Sequence, residues 1–153
     1  MDRRVVLGLL AGTIGAIPPL VAQARADEIP KGGHRLAIQI DTDDMALMNL
    51  ALANARNALT LYTERGEKLA VEIVTFGPGL TMLRADTSPV KDRITALRKS
   101  LPGAVFSACN NTKTALEKTE GKTIALVPEA TIVPAGIVRL MELQEDGWSY
   151  IRT

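Results

Sequence analysis

The sequence holds one cysteine, Cys109, in the stretch FSACNNTKTALEKTEG at 106–121. It ends an apolar run and is followed by Asn110, Asn111 and Thr112, which are residue types that favour the start of a helix. A thiol at such a place lies beside free backbone N–H groups, whose partial positive charge favours the thiolate. Because the thiolate is the nucleophilic form of cysteine, a reactive thiol is one interpretation of this stretch.

The helix start alone activates such a thiol only in part. An ordinary cysteine, with a pKa of about 8.5, is about 3% thiolate at pH 7. A helix N-terminus contributes about 0.3–1 kcal/mol, which raises the thiolate to roughly a fifth at most. A nearby cation would add to this, and Lys113 is the candidate stabiliser. The alternative for Lys113 is a surface pair with Glu117, four residues on.

Cys109 itself has three interpretations: a buried small hydrophobic residue, a reactive thiol, or a residue that pairs with another chain. An internal disulfide and a C-x-x-C redox pair are both excluded, because the chain has no second cysteine. The residue types alone leave the three interpretations open.

Two further groups of residues follow predicted strands. Asp41, Asp43 and Asp44 fit either a hard-cation site or the N-terminus of a helix, where acidic side chains cap free N–H groups. We predict the helix start, because no second carboxylate group lies at metal-like spacing. No metal or cofactor is therefore expected.

A glycine pair marks the end of the second predicted strand. Gly77 and Gly79, on either side of Pro78, would let a ligand approach the backbone, and together with Asn110 they are the candidate ligand-binding residues. The alternative is a plain turn.

The elements that would position these residues alternate between strands and helices. Strands are expected at 34–41, 69–77 and 104–109, near 131–133, and at 148–152. Helices are expected at 43–65, as a short segment from 77, from Ser88-Pro89, at 112–121, and from Pro134. This pattern predicts an α/β fold in three layers, a mostly parallel five-stranded sheet with helices on both faces, of the flavodoxin-like kind. Ligand sites in such sheets lie outside the carboxyl ends of the strands, where the candidate residues would meet.

Residues 1–26 are expected to be a signal peptide. Arg3 and Arg4 precede an apolar run that is broken by Pro18-Pro19, and an A-x-A cleavage site stands at 24–26. The run is short and interrupted for a membrane anchor, which is the alternative. Export to the periplasm by the Sec or twin-arginine pathway is expected, with a single domain at 27–153 and no membrane association after cleavage.

The charge and composition of the expected mature chain do not favour binding to a polyanion. Without 1–26, the 18 basic and 17 acidic residues fall to 15 and 16, a net charge of −1. The whole chain has only five aromatic residues and no basic stripe, so no nucleic-acid partner is expected. The first long helix carries Leu47, Leu50 and Leu61 outside its main apolar stripe, which predicts burial against a second subunit.

Four stretches together resemble the DsrE/DsrF-like family, in its exported single-domain branch. They are DTDDMALMNLALANARNAL, FGPGL, FSACNNT and VPAGIVRLMELQEDGWSYIR. The resemblance implies a five-stranded parallel sheet and assembly into dimers, trimers or hexamers. In the sulfur-relay members a cysteine after the third strand carries a persulfide to a partner protein, and Cys109 matches that place.

Two functions are therefore expected as alternatives. In the first, Cys109 accepts sulfane sulfur from a donor protein and hands it to an acceptor, without a cofactor, so that any enzymatic activity is at most of the sulfurtransferase type. In the second, the chain is a non-catalytic homo-oligomer that binds a small ligand at the ends of its strands.

Overall fold

The computed structural model describes residues 33–153. The expected signal peptide at 1–26 and its cleavage site lie outside the described residues. Within 33–153, none of the helices has the length and apolar character needed to cross a membrane.

Five strands and four α-helices alternate within residues 33–153. The strands are β1 (His34–Ile40), β2 (Leu69–Thr75), β3 (Val105–Cys109), β4 (Ala130–Val133) and β5 (Ser149–Arg152). The α-helices are α1 (Met45–Glu64), α2 (Lys91–Ser100), α3 (Asn110–Glu120) and α4 (Gly136–Glu145). A 3-10 helix at Gly77–Leu83 follows β2.

The strands form one sheet in the order β4-β3-β2-β1-β5, and every neighbouring pair is parallel. The predicted α/β class and five-stranded sheet are confirmed. The carboxyl ends of β1, β2 and β3 lie side by side at one edge, which is the edge where the candidate residues were expected to meet.

The larger apolar cluster lies between the sheet and the helices that follow its first strands. Helix α1 contributes four fully or nearly buried side chains at helical spacing, Met48, Ala51, Leu52 and Ala55. They pack with alternate residues of the strands, with the 3-10 helix and with α2. These partners include Leu36, Ile38, Ile40, Val71, Ile73, Leu80, Ile94 and Phe106.

The smaller cluster covers the opposite face and depends on one helix. Leu140 and Leu143 of α4 pack on Ala37 and Val74 with Trp148. Because β4 and β5 are the outermost strands on the two sides of the sheet, α4 crosses this face from one outer strand to the other. Helices therefore lie on both faces, with α4 covering the second.

The predicted start of the helix after Ser88-Pro89 is wrong. Helix α2 begins at Lys91, with Val90 at the N-cap position. The Ser88 hydroxyl donates to the carbonyl of Met82 at 2.5 Å and accepts the N–H of Val90 at 3.3 Å. Since this hydroxyl fixes the turn after the 3-10 helix, the helix starts two residues later.

Helix α1 leaves part of its apolar surface exposed, as its sequence indicated. Met45, Leu50 and Leu61 are 58%, 47% and 45% exposed, on the side away from the sheet. The predicted subunit contact at this surface stays a prediction.

Candidate functional site

Cys109 is the last residue of β3 and the N-cap residue of α3. Its backbone is extended, with φ −66° and ψ 116°, and the helix begins at the next residue. Its side chain therefore lies near the free N–H groups of the first helical turn, although it makes no capping hydrogen bond with them. The sequence prediction of a thiol at the junction of strand and helix is correct in this placement.

Groups from two helix starts act on the thiol of Cys109. Burial raises the pKa of this thiol, but the N–H and hydroxyl of Thr112 and the N–H groups of Gly136 and Asn111 together outweigh that effect. The N–H of Asn111 also donates to the carbonyl of Pro134 at 3.4 Å. The net effect lowers the pKa of Cys109, because these donors stabilise the thiolate. We call this arrangement the thiol site: Cys109 with the donors on Asn111, Thr112 and Gly136.

The Thr112 hydroxyl has a defined orientation in the thiol site. Its oxygen accepts the N–H of Gly77 at 2.9 Å. A hydroxyl that accepts at its oxygen still has one proton to donate, and the Thr112 hydroxyl lowers the pKa of Cys109. The turn after β2 therefore positions a donor of the thiol site.

Gly136 is a member of the thiol site that the sequence reasoning missed. It is the first residue of α4, and a Cβ atom on it would lie 2.8 Å from Cδ1 of Phe76. Only glycine lets the helix start come this close to the end of β2. The signal was present as a glycine at a helix start opened by Pro134, where a capping side chain is more usual.

The register of β4 explains why a residue so distant in the chain reaches the thiol. Cys109 pairs with Val133, and the chain leaves β4 at the edge of the sheet where β3 ends. Helix α4 therefore begins beside Cys109. Parallel strands impose this meeting, because their carboxyl ends share one edge.

The glycine pair after β2 has a packing role. A Cβ atom on Gly79 would lie 2.3 Å from the carbonyl oxygen of Ile40, so this position tolerates no side chain. Gly77 has φ +53°, which favours glycine, and its N–H bonds to Thr112. The two glycines hold the turn against β1, and Gly77 in addition supports the thiol site.

The structure places Lys113 and Asn110 differently from the thiol donors. The Lys113 ammonium contacts Oε1 of Glu117 at 2.5 Å, the surface pair that was the alternative interpretation. The groups that most strongly lower the pKa of Cys109 are N–H and hydroxyl donors. Asn110 is exposed at the first position of α3, beside the thiol.

The acidic cluster after β1 acts as a helix start. Asp44 accepts the N–H groups of Ala46 at 2.7 Å and Leu47 at 3.2 Å, which confirms the predicted cap of α1. The Asp41 carboxylate accepts from Gln39 at 3.0 Å and from Arg152 at 2.9 Å. Among residues 33–153, no group of three or more His, Cys, Asp or Glu side chains is arranged to hold a metal ion.

Comparison with known proteins gives structural relatives and no family. No family model matches the chain, and no curated protein matches it. A solved structure of a protein of unknown function, MTH1491 from Methanobacterium thermoautotrophicum, is similar, with a TM-score of 0.67 and 29% identity. The similarity covers 78% of this chain and 99% of that one. A second, BT1422 from Bacteroides thetaiotaomicron, also of unknown function, has 19% identity and a TM-score of 0.49 over 78% of this chain and 94% of its own. The chain therefore shares its α/β fold with a protein whose function is itself unknown.

Proposed function

We propose that the protein is a sulfur carrier in which Cys109 accepts sulfane sulfur and passes it on. The observation that supports this most is the thiol site, where donors from two helix starts lower the pKa of the only cysteine. A thiol held for packing needs no such set of donors. The resemblance of the sequence to the sulfur-relay family supports the same reaction.

The transfer step balances without an oxidant or a cofactor. The Cys109 thiolate attacks the outer sulfur of a donor persulfide, a new S–S bond forms, and the S–S bond of the donor breaks. The donor leaves as a thiolate, so one anion enters and one departs and no proton needs to move. Passing the sulfur to an acceptor thiolate repeats the step in the opposite sense.

The donors of the thiol site suit both states of the carrier. Before transfer they stabilise the thiolate that attacks. After transfer, once the new persulfide has released its proton to water, the negative charge lies on its outer sulfur, where the same N–H and hydroxyl groups favour it. The N–H groups of Asn111, Thr112 and Gly136 belong to helix starts, which favour an anion in either form.

Cys109 is 5% exposed and lies at the carboxyl end of β3, beside the exposed Asn110. Neither of the two apolar clusters among the described residues includes it. A sulfur donor would therefore approach from the carboxyl ends of the strands.

Intact mass spectrometry tests the carrier. The protein is treated with a persulfide donor, and the chain is expected to gain the mass of one sulfur atom, which an acceptor thiol then removes. Cys109→Ser is the matched control and is expected to gain nothing. An unmodified wild-type chain whose thiol also resists alkylation would contradict the proposal.

A second candidate function is the homo-oligomeric small-ligand-binding module. The exposed apolar side chains favour self-association: on α1, those of Met45, Leu50 and Leu61, and on α4, those of Ile137, Val138 and Met141, which are 58%, 48% and 53% exposed. Self-association is compatible with either function. Export of the chain, which rests on residues 1–26, is likewise a proposal, and the N-terminus of the protein from the periplasm tests it.

A further inference from the structure

The face of the sheet beneath α4 contains a buried carboxylate that the transfer step does not use. Glu72, in the middle of β2, is 2% exposed. Nε and Nη2 of Arg139 donate to its two oxygens at 2.7 and 2.8 Å, a bidentate pair. The Ser107 hydroxyl donates to Oε1 of Glu72 at 2.6 Å.

The two partners of Glu72 lie on different elements of the thiol site, one on the strand that ends at Cys109 and one on the helix that begins at Gly136. Ser107 lies two residues before Cys109 in β3 and therefore on the same face of the strand. Arg139 lies one turn after Gly136 in α4. One carboxylate therefore joins the strand that carries the sulfur to the helix whose first N–H reaches it.

We infer that Glu72 is a positioning residue: through Arg139 and Ser107 it holds the first turn of α4 against the strand that carries Cys109. The inference rests on the proposed function, because it gives the buried ion pair a role in that site. Gly136 has only its N–H to offer the sulfur, and a helix start that shifts outward would withdraw it. Phe76 packs so close to Gly136 that an added Cβ atom would lie 2.8 Å from its ring, and it limits the shift on one side only.

The charged groups near Cys109 determine in which direction each substitution is expected to shift the pKa of its thiol. On the elements packed around Cys109, those in the first two turns of α3, in the first turn of α4 and on β2 are Lys113, Glu117, Arg139 and Glu72. Lys118, Glu120, Glu142 and Glu145 lie farther along the two helices, and β3, β4 and the 3-10 helix carry none. Removing the negative charge of Glu72 would by itself make the thiol more acidic. Loss of positioning would make it less acidic, so the two effects have opposite signs.

The measurement is the rate of Cys109 alkylation as a function of pH, with no sulfur donor present. Arg139→Lys keeps the charge and loses the fork that binds both oxygens. We expect its rate at about pH 7 to fall about two- to fivefold, with the profile moved to higher pH, as loss of one helix start implies. Glu72→Gln is expected to be slower as well, against the electrostatic sign.

Arg84→Lys is the matched control. Arg84 is buried and, like Arg139, binds carboxylates through two nitrogens, those of Asp86 and of Glu120 at the far end of α3. Its alkylation profile is expected to match that of the wild type.

An unchanged or faster rate in folded Arg139→Lys, or an equal slowing in Arg84→Lys, would overturn the inference. If Arg139→Lys fails to fold by circular dichroism, Glu72→Gln decides in its place, and a rate equal to or above the wild-type rate overturns the inference. A wild-type chain that gains no sulfur would refute the carrier and leave these rates to decide on Glu72.

Discussion

The backbone N–H of Gly136, at the start of α4, is one of the groups that lower the pKa of Cys109, at the end of β3. A second helix start therefore acts on a thiol that already stands at the N-cap position of α3. The two residues are distant in the sequence, and the parallel register of β3 and β4 brings them together.

Gly136→Ala is expected to weaken both the fold and the thiol site. The added Cβ would lie 2.8 Å from Phe76, so the start of α4 has to move away from the sulfur. We expect a loss of about 1–3 kcal/mol in the free energy of unfolding, measured in urea, and slower alkylation of Cys109. Gly103→Ala is the control, since no atom lies within 4 Å of its Cβ position, and it is expected to change stability by less than about 0.5 kcal/mol.

Thr112→Val tests the hydroxyl in the thiol site. The change keeps the shape, removes one donor to the sulfur, and leaves the N–H of Gly77 without its acceptor. We expect alkylation at about pH 7 to slow by about two- to tenfold, with the pKa of Cys109 raised. The same change at the exposed Thr119 of α3 is the control, and a profile common to both variants would argue against the assigned hydrogen bond.

Lys113→Gln separates the cation from the N–H donors. Because the ammonium already pairs with Glu117, we expect the alkylation rate of Cys109 to stay within about twofold of the wild-type rate. A slowing as large as that of Thr112→Val would show instead that Lys113 stabilises the thiolate, as one sequence interpretation held.

Stability is expected to fall in acid through the ion pairs of Arg84. Hydrogen bonds from Arg84 lower the pKa of Asp86 and of Glu120 below their usual values. A carboxyl group with a lowered folded-state pKa stabilises the fold above its unfolded pKa, about 4, and loses that contribution as the pH falls through its folded pKa. Arg84→Met is expected to be less stable at neutral pH and to lose less on acidification. Urea unfolding at several pH values measures this, and parallel curves for the two proteins would contradict it.

Self-association is expected to depend on the exposed apolar surfaces. Met141→Glu in α4 and Leu50→Glu in α1 place a charge on surfaces that would be buried between subunits. Sedimentation velocity is expected to show an oligomeric wild type and a smaller species for at least one variant. Thr119→Glu, an equal charge change on the exposed side of α3, is the control. A monomeric wild type at micromolar concentration would contradict the prediction.

The sequence predicted the fold well because its signals are local. Strands such as His34–Ile40 and Leu69–Thr75 are short apolar runs, and α1 has a regular apolar spacing that ends at a glycine. The start of α2 was misplaced, because Ser88 uses its hydroxyl to close a turn and not to cap the helix.

Only the part of the thiol site that is local in the sequence was predicted. Cys109 and the helix that follows it are neighbours in the chain, so their relationship is visible in the sequence. The other members lie near Cys109 or its strand only because the strands pair in this order and α4 packs on the sheet; they are Gly136, Glu72 and Arg139. No spacing in the sequence predicts that arrangement. Lys113 was a plausible cation by proximity, but a carboxylate on its own helix binds it.

The path of α4 from one edge strand to the other has a consequence for biosynthesis. Because synthesis proceeds from the N-terminus, Cys109 emerges from the ribosome well before Gly136 does. Until β4 and α4 have docked, the sulfhydryl has only part of its final surroundings and behaves more like that of an ordinary peptide. A chain truncated after α3 is therefore expected to carry the same cysteine with a less reactive thiol. The full reactivity of Cys109 would then depend on the docking of β4 and α4.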